Sequence, residues 1–387
     1  MLLTRINLEK REREMFALYA TFSDSAKREH SDSNDEFRTQ FQRDHARIIH
    51  SKAFRRLKGK TQVFVAHYGD HFRNRLTHTL EVSQISRNLA RNLAVNEDLA
   101  GAIALAHDLG HTPFGHAGEE RLNSLLQKFG ESFEHNRQSR RILTTLEKKY
   151  VGFDGLNLTS DLLDGLAKHS TPYDSPSSDG RQPSVEAQIV NLADEIAYVN
   201  HDLDDGLRGK IFMRESLKNL KLWRMAIEKV DTNLPNEAFN HRAVSAIIDL
   251  LTTDLLRETS KNLEENKIKN LDEIKNFRQA LVSFSPSTQK DLEELREFLH
   301  AKFYLHPEVK KLSEQGADLL EKLFASIFKK PELLPSEFTE RLKTDSREIV
   351  VANFVAGMTD DFAEEFVKKI KGDLGFINLA YFVNLEK

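Results

Sequence analysis

Residues 99–116 read Leu99-Ala100-Gly101-Ala102-Ile103-Ala104-Leu105-Ala106-His107-Asp108-Leu109-Gly110-His111-Thr112-Pro113-Phe114-Gly115-His116. The first eight are all apolar or glycine, which predicts a buried helix running from Leu99 to Leu109. Asn96-Glu97-Asp98 supplies capping residues in front of it, and the Gly110 to Pro113 break turns the chain into a loop behind it. A carboxylate at the end of such a helix costs several kcal/mol if left unpaired, and a divalent cation is a natural partner for His107-Asp108. The plain alternative is a solvated His-Asp pair at a helix C-terminus.

Working outward, Leu76, Leu80, Ile85, Leu89 and Leu93 recur at helical spacing and predict a helix from Arg75 to Asn92. After Pro183-Ser184, the stripe Val185, Ile189, Leu192, Ile196, Val199 and Leu203 predicts a third. All nine prolines lie at or beyond Pro113, and no run of alternating β-branched residues interrupts the 3.6-residue spacing. The expected fold is therefore all-α, without solenoid repeats or long coiled coils. Its expected organisation is an N-terminal helical or linker segment (1–37), a core (38–260) and a C-terminal helical region packed on that core (261–387). His169 to Ser184 reads as a long surface loop and Phe284-Ser285-Pro286-Ser287 as a second boundary. Phe376 to Val383 reads as a short terminal element.

The three helices bring ionisable groups that can converge: His78 on the first, His107 and Asp108 at the end of the second, Asp194 on the third. Two imidazoles and two carboxylates suit Mg, Mn or another first-row transition metal, with water completing the shell. In the loop that follows, His116 and Glu119 are spaced as a base and its orienting carboxylate. Asp194, Tyr198 and Asp202 step by four along the third helix, away from its apolar stripe. If Asp194 holds a metal, Tyr198 and Asp202 line the same pocket, offering a flat ring and a hydroxyl acceptor to a ribose-type sugar. Arg75 lies one turn before His78, where a guanidinium and a metal can share phosphate oxygens. For Arg43, Arg47, Lys52, Arg55, Arg56, Lys58, Lys60 and Arg73 the expectation is an ordinary solvated basic face or an interface.

Composition excludes much else. The 387 residues contain no cysteine, which removes disulfides, thiolate zinc sites, iron–sulfur clusters and cysteine nucleophiles. Lys+Arg 56 against Asp+Glu 60 leaves a formal charge of -4, so no global basic field advertises nucleic acid. The longest apolar run, near Leu99 to Ala106, falls far short of the roughly 20 residues that cross a bilayer, and no membrane partner is expected. Met1-Leu2-Leu3 runs directly into charged residues, so a cytoplasmic location is expected. Of 15 histidines, nine (45, 50, 67, 71, 78, 107, 111, 116, 135) crowd between His45 and His135. No P-loop, dinucleotide fingerprint or nucleophile elbow is present where it would matter.

At these residues the chain resembles the HD-domain metal-dependent phosphohydrolases, and within them the deoxyguanosinetriphosphate triphosphohydrolase-like (dNTP triphosphohydrolase) family. The matching segments are Arg47-Ile48-Ile49-His50-Ser51, Ala53-Phe54-Arg55-Arg56-Leu57, Lys60-Thr61-Gln62-Val63-Phe64, Arg75-Leu76-Thr77-His78 and Ala106 to His116. They continue with Gly155 to Thr159, Glu186 to Ile189, Asp194 to Tyr198 and Ala356-Gly357-Met358-Thr359-Asp360, covering about residues 38 to 365. His45 and Ala46 depart from the Arg and Asp the family often carries.

The resemblance implies an HD helical core with additional C-terminal helices, and His78, His107, Asp108 and Asp194 as ligands of a divalent metal ion. It implies that His116 with Glu119 activates or positions water, that His135 assists the leaving oxygen, and that Arg75 and His111 contact phosphates. Tyr198 and Asp202 would hold the deoxyribose. The implied reaction converts a deoxynucleoside triphosphate, dGTP among the candidates, to deoxynucleoside and inorganic triphosphate. A homo-oligomer and a nucleotide effector are also implied. Two other readings stand beside it: an HD enzyme acting on another nucleotide, and a regulator that binds nucleotide or single-stranded nucleic acid around a structural metal site.

Overall fold

A computed structural model describes residues 2–62, 73–167 and 180–371 of the chain. Among them are seventeen α-helices and no strand, only isolated bridges, so the protein is all-α. His67, His71, most of the loop from His169 to Ser184, and the terminal element from Phe376 to Val383 lie outside the described residues. None of the described helices is long and apolar enough to cross a membrane.

The three helices that carry the candidate ligands pack on one another: Arg75–Asn92, Glu97–Ala106 and Val185–Arg208. Each begins at a side-chain cap that satisfies orphan N–H groups of its first turn. Asn74 accepts from the Thr77 N–H, Asn96 from those of Asp98 and Leu99, and Ser184 from that of Ala187. The central helix is buried at every position from Leu99 to Ala106.

Two stripes behave differently from their sequence pattern. On Arg75–Asn92, Leu80 is exposed, while His78, Thr79, Val82, Ser83, Ser86 and Ala90 face inward. Small and polar residues on that face leave room for the central helix and the site. On Val185–Arg208 the expected apolar side is buried, but so are Glu186, Gln188 and the whole run from Val199 to Gly206. That helix passes through the interior, and its polar row faces other protein groups. One of them, the buried Glu186, accepts from the N–H groups of Thr21 and Asn96, tying the N-terminal segment to the core.

The apolar interior forms two cores. The first joins the three ligand helices to Asn236–Glu265 and Pro286–Leu299. Phe284 belongs to it, and Ser285 there caps a helix start. The second joins the helix Gly115–Gln127 to Pro307–Lys329, Arg347–Ala356 and Asp360–Lys371 through Leu122, Leu126, Leu320, Phe324, Val351 and Phe366.

Part of the expected basic face is interior. Arg43 and Arg47 are buried and pair with Asp32, and Arg47 also donates to the Leu156 and Asn157 carbonyls. Lys60 is buried and donates to the carbonyls of His111 and Ala356. Arg47 and Lys60 thus satisfy carbonyls in loops and at a helix C-terminus. Lys52, Arg55, Arg56 and Lys58 are exposed, as expected.

Candidate active site

Four donor groups meet where the ligand helices cross. His78 Nε2 lies 2.9 Å from Asp194 Oδ1 and 3.8 Å from Asp108 Oδ2, and His107 Nε2 lies 3.4 Å from Asp108 Oδ1 and 3.5 Å from Asp194 Oδ1. Ligands about 2.1 Å from a common ion and at right angles to one another stand about 3 Å apart, so this donor set fits a divalent cation. His107 uses its other nitrogen, donating from Nδ1 to the Ala104 carbonyl at 2.6 Å. That bond leaves the Nε2 lone pair facing the carboxylates.

The electrostatics agree with a cation site. Burial disfavours an imidazolium at His107, but Asp108 and Asp194 outweigh it and raise the pKa to about 9. Burial also works against ionisation of Asp108, yet His107, Arg75 and His111 hold its carboxyl well below the usual range. With the Asp108 carboxylate ionised in a buried pocket beside Asp194, a positive charge is favoured between them, and a metal ion supplies it more fully than a shared proton.

Arg75 is 1 % exposed and donates from Nη1 to Asp108 at 2.9 Å. Its Nε and Nη2 are buried without a hydrogen-bond partner among the described residues. An arginine with idle donors beside a metal site is poised for an anionic oxygen.

His111 connects this centre to a second group. Its Nε2 is 3.1 Å from Asp108 Oδ1 and its Nδ1 is 3.4 Å from Glu119 Oε2. Its ring stacks on His135 with centroids 3.9 Å apart. Glu119 Oε1 accepts from the His135 backbone N–H at 2.7 Å and from His135 Nδ1 at 3.0 Å. The nitrogens of His111 and His116 and a Glu119 oxygen lie within 4.8 Å of one another. Burial, reinforced by Arg75, lowers the pKa of both His111 and His116, keeping the two rings neutral. Burial opposes the charge on Glu119 as well, but His135, His111 and His116 hold that carboxyl well below its ordinary value. Ionised Glu119 thus holds His135 through both its backbone N–H and its Nδ1, while His116 stays a neutral base.

The backbone behind these residues is tightly constrained. His116 sits in the first turn and Glu119 at the start of the second turn of Gly115–Gln127, which the chain enters through Phe114 and Gly115, both left-handed at φ +63° and +60°. Asp360 accepts from the N–H groups of Phe114 and Thr61, holding the entry in place. Gly110 packs so closely on the helix His135–Arg141 that a Cβ there would stand 2.1 Å from the His135 carbonyl oxygen. Ser139 Oγ completes that seam by accepting from the Gly110 N–H and donating to the His107 carbonyl.

A cavity of about 50 Å³ is lined by Arg75, His78, Asp108, His111 and Asp194 and shares His116, His135 and Tyr198 with a larger one of about 480 Å³. The larger volume is within the range of small-molecule sites. Its wall includes Tyr198 stacked on Tyr304, with centroids 6.0 Å apart and planes 11° from parallel. Asp202 differs from its expected position. It is 1 % exposed, lines neither cavity, and accepts a hydrogen bond from the Tyr304 hydroxyl. A sugar hydroxyl reaches it only by displacing Tyr304. Burial and Asp205 raise its pKa well above the usual value.

Nine of the eleven residues singled out from sequence therefore line one or the other of these two cavities, and His107 stands against Asp108 and Asp194, which line the smaller. The residues that reasoning missed are Tyr304 and Arg296. Tyr304 comes from a π-helical turn, His300–Tyr304, a local geometry that often marks sites. Arg296 enters the small cavity paired with Glu195 at 2.8 Å.

Comparison with known proteins places the chain. Residues 75–199 match the HD domain and residues 282–369 the phosphohydrolase-associated domain. The deoxyguanosinetriphosphate triphosphohydrolase-like protein of Geobacter sulfurreducens is 46% identical over 369 residues, covering 93% of this chain and 96% of that protein. The like-named protein 1 of Deinococcus radiodurans is 41% identical, covering 95% and 100%, and that of Leptospira interrogans is 39% identical, covering 96% and 100%.

Proposed function

Because the chain belongs to the deoxyguanosinetriphosphate triphosphohydrolase-like family of HD-domain phosphohydrolases, we propose that it hydrolyses deoxynucleoside triphosphates to deoxynucleoside and inorganic triphosphate. The observation that carries this reading is the junction of two unlike groups across His111. A candidate four-ligand cation site and Arg75, with two donors unmatched among the described residues, lie on one side, and the His116, Glu119 and His135 cluster lies on the other. A structural metal site has no use for the second group.

His78, His107, Asp108 and Asp194 would hold the ion, which when bound polarises phosphoryl oxygens. Arg75 offers its two unused donors to the same phosphate chain and offsets charge that develops there. Neutral His116 takes a proton from water attacking the α-phosphorus. As the bond to the 5′ oxygen breaks, His135, oriented by Glu119 and acting in its protonated form, delivers a proton to that oxygen. Water is consumed and triphosphate leaves intact. The Tyr198 and Tyr304 pair packs against the 2′ edge of the sugar, with Asp202 fixing the Tyr304 hydroxyl.

The test is product identity. With Mn²⁺ or Mg²⁺ and each dNTP in turn, chromatography is expected to find deoxynucleoside and triphosphate in equal amounts. Orthophosphate or pyrophosphate would instead overturn the assignment. Running the matching ribonucleotides alongside tests the role of the tyrosine wall.

A further inference from the structure

Behind the candidate metal site, His78 is held by groups that the hydrolytic reading leaves unused. Its Nε2 faces Asp194 and Asp108, while its Nδ1 lies 3.2 Å from Nδ1 of His201. The two rings meet edge-on, with centroids 5.2 Å apart and planes at 78°. They are 1 % and 2 % exposed. On its far side, His201 Nε2 contacts Glu81 Oε2. Arg73 Nε stands 3.6 Å from the other Glu81 oxygen, and its Nη1 donates to Asp204 at 2.7 Å.

Two helices share this arrangement. Arg75–Asn92 supplies His78 and, one turn on, Glu81; Val185–Arg208 supplies Asp194 and, two turns on, His201. Each helix thus contributes one candidate ligand and one group of the row behind it.

Two Nδ1 atoms in hydrogen-bond contact leave room for one proton between neutral rings. If it sat on His201, His78 would carry its own proton on Nε2 and present an N–H to the ion. His201 would then turn a bare Nε2 lone pair toward the Glu81 carboxylate, which only accepts. If it sits on His78, every contact is matched. His78 Nδ1–H donates to His201 Nδ1, His201 Nε2–H donates to Glu81, and His78 Nε2 is left as a lone pair directed at the site. Glu81 breaks the symmetry of the His78 and His201 pair.

We propose that His201 and Glu81 are positioning residues that lock His78 in the tautomer able to ligate a metal, and that affinity for the ion depends on them. The inference rests on His78 being a ligand and extends that reading past the residues that touch the ion. Loss of a partner behind a ligating histidine typically costs about 10- to 100-fold in metal affinity.

The experiment is Mn²⁺ binding to the purified full-length chain, measured by the paramagnetic resonance signal of free Mn²⁺, with circular dichroism reporting the fold. His201→Phe keeps a flat ring but removes both nitrogens, and is expected to raise the Mn²⁺ dissociation constant about 10- to 100-fold. Glu81→Ala should weaken binding about tenfold. Glu81→Gln keeps the shape of the side chain but can donate as well as accept, so it should recover only part of that loss. Nitrogen-15 spectra of the histidines in the metal-free chain are expected to show His78 protonated at Nδ1, and in Glu81→Ala a mixture of tautomers. Mn²⁺ affinity within twofold of wild type in both His201→Phe and Glu81→Ala would overturn the proposal. Should His201→Phe fail to fold, Glu81→Gln against wild type decides alone, because the amide keeps the shape of the carboxylate and removes only its obligate acceptance: weaker Mn²⁺ binding supports the proposal and wild-type affinity overturns it. Failure of the underlying reading looks different: Asp108→Ala would then bind Mn²⁺ as tightly as wild type.

Discussion

The first core places its functional groups along the shafts and ends of helices that pack directly on one another, whereas the second places His116 and Glu119 at the very start of a helix whose entrance is set by distant residues. His78, His107, Asp108 and Asp194 fall within 117 residues of sequence, inside the stretch that matches the HD domain. The Phe114 entrance is pinned by Asp360, 246 residues later, inside the stretch that matches the phosphohydrolase-associated domain. On the proposed reading, ion binding is therefore a property of the first core. The alignment of acid and base groups against it is a joint property of both.

This contrast can be broken by mutation. The largest effect is expected for Asp108→Ala, which removes a ligand and leaves Arg75, His107 and His111 without the carboxylate they surround. Metal analysis should find no stoichiometric ion, and turnover should fall below detection. Glu119→Gln should lower kcat by about 10²- to 10⁴-fold while Mn²⁺ titration shows wild-type affinity. Loss of the ion in that variant would show that the two regions are not separable.

Next in size is Leu320→Ala in the second core, where the side chain is fully buried. Unfolding should become easier by about 2–5 kcal/mol, and kcat should fall several-fold with ion affinity unchanged, as read by denaturant titration and steady-state kinetics. Leu105→Ala beside the ligands, of similar cost, should weaken the ion as well.

The smallest effect concerns Lys60, which spans the two regions through the His111 and Ala356 carbonyls. Burial, with help from Arg56 and Arg75, lowers its pKa to about 7 from the ordinary 10.5. Between those values the unfolded chain holds the proton more tightly than the folded one. Lys60 thus makes folding stability rise with pH across that window, and its charge weighs most against folding below about pH 7. Denaturant midpoints from pH 7 to 9 should climb less steeply in Lys60→Met than in wild type.

Much of the first core was legible in advance because its signals are local. Helical spacing located Arg75–Asn92 and Val185–Arg208, and the apolar run ending in His107-Asp108 announced a buried pair. His135 entered only through family resemblance, since nothing in Phe133-Glu134-His135-Asn136 reveals that Glu119 takes both of its N–H groups. Tyr304 and Arg296 were invisible for a related reason. They reach the cavity from helices about 100 residues beyond Asp194, by packing that no local pattern encodes. His201 was within reach, two turns after Asp194 on the same helix. A stripe read as apolar against polar hid it, because that helix is buried on nearly every side. Leu80 shows the converse, a leucine in register with a core stripe that faces outward because the smaller residues beside it take the interior.

Asp360 also sets a schedule. A ribosome delivers Asp194, the last of the four candidate ligands, 166 residues before the carboxylate that holds Phe114. At about 5–20 residues per second the interval is on the order of ten seconds or more. A nascent chain can therefore bring its four candidate ligands together while the helix start that carries His116 and Glu119 still lacks its anchor.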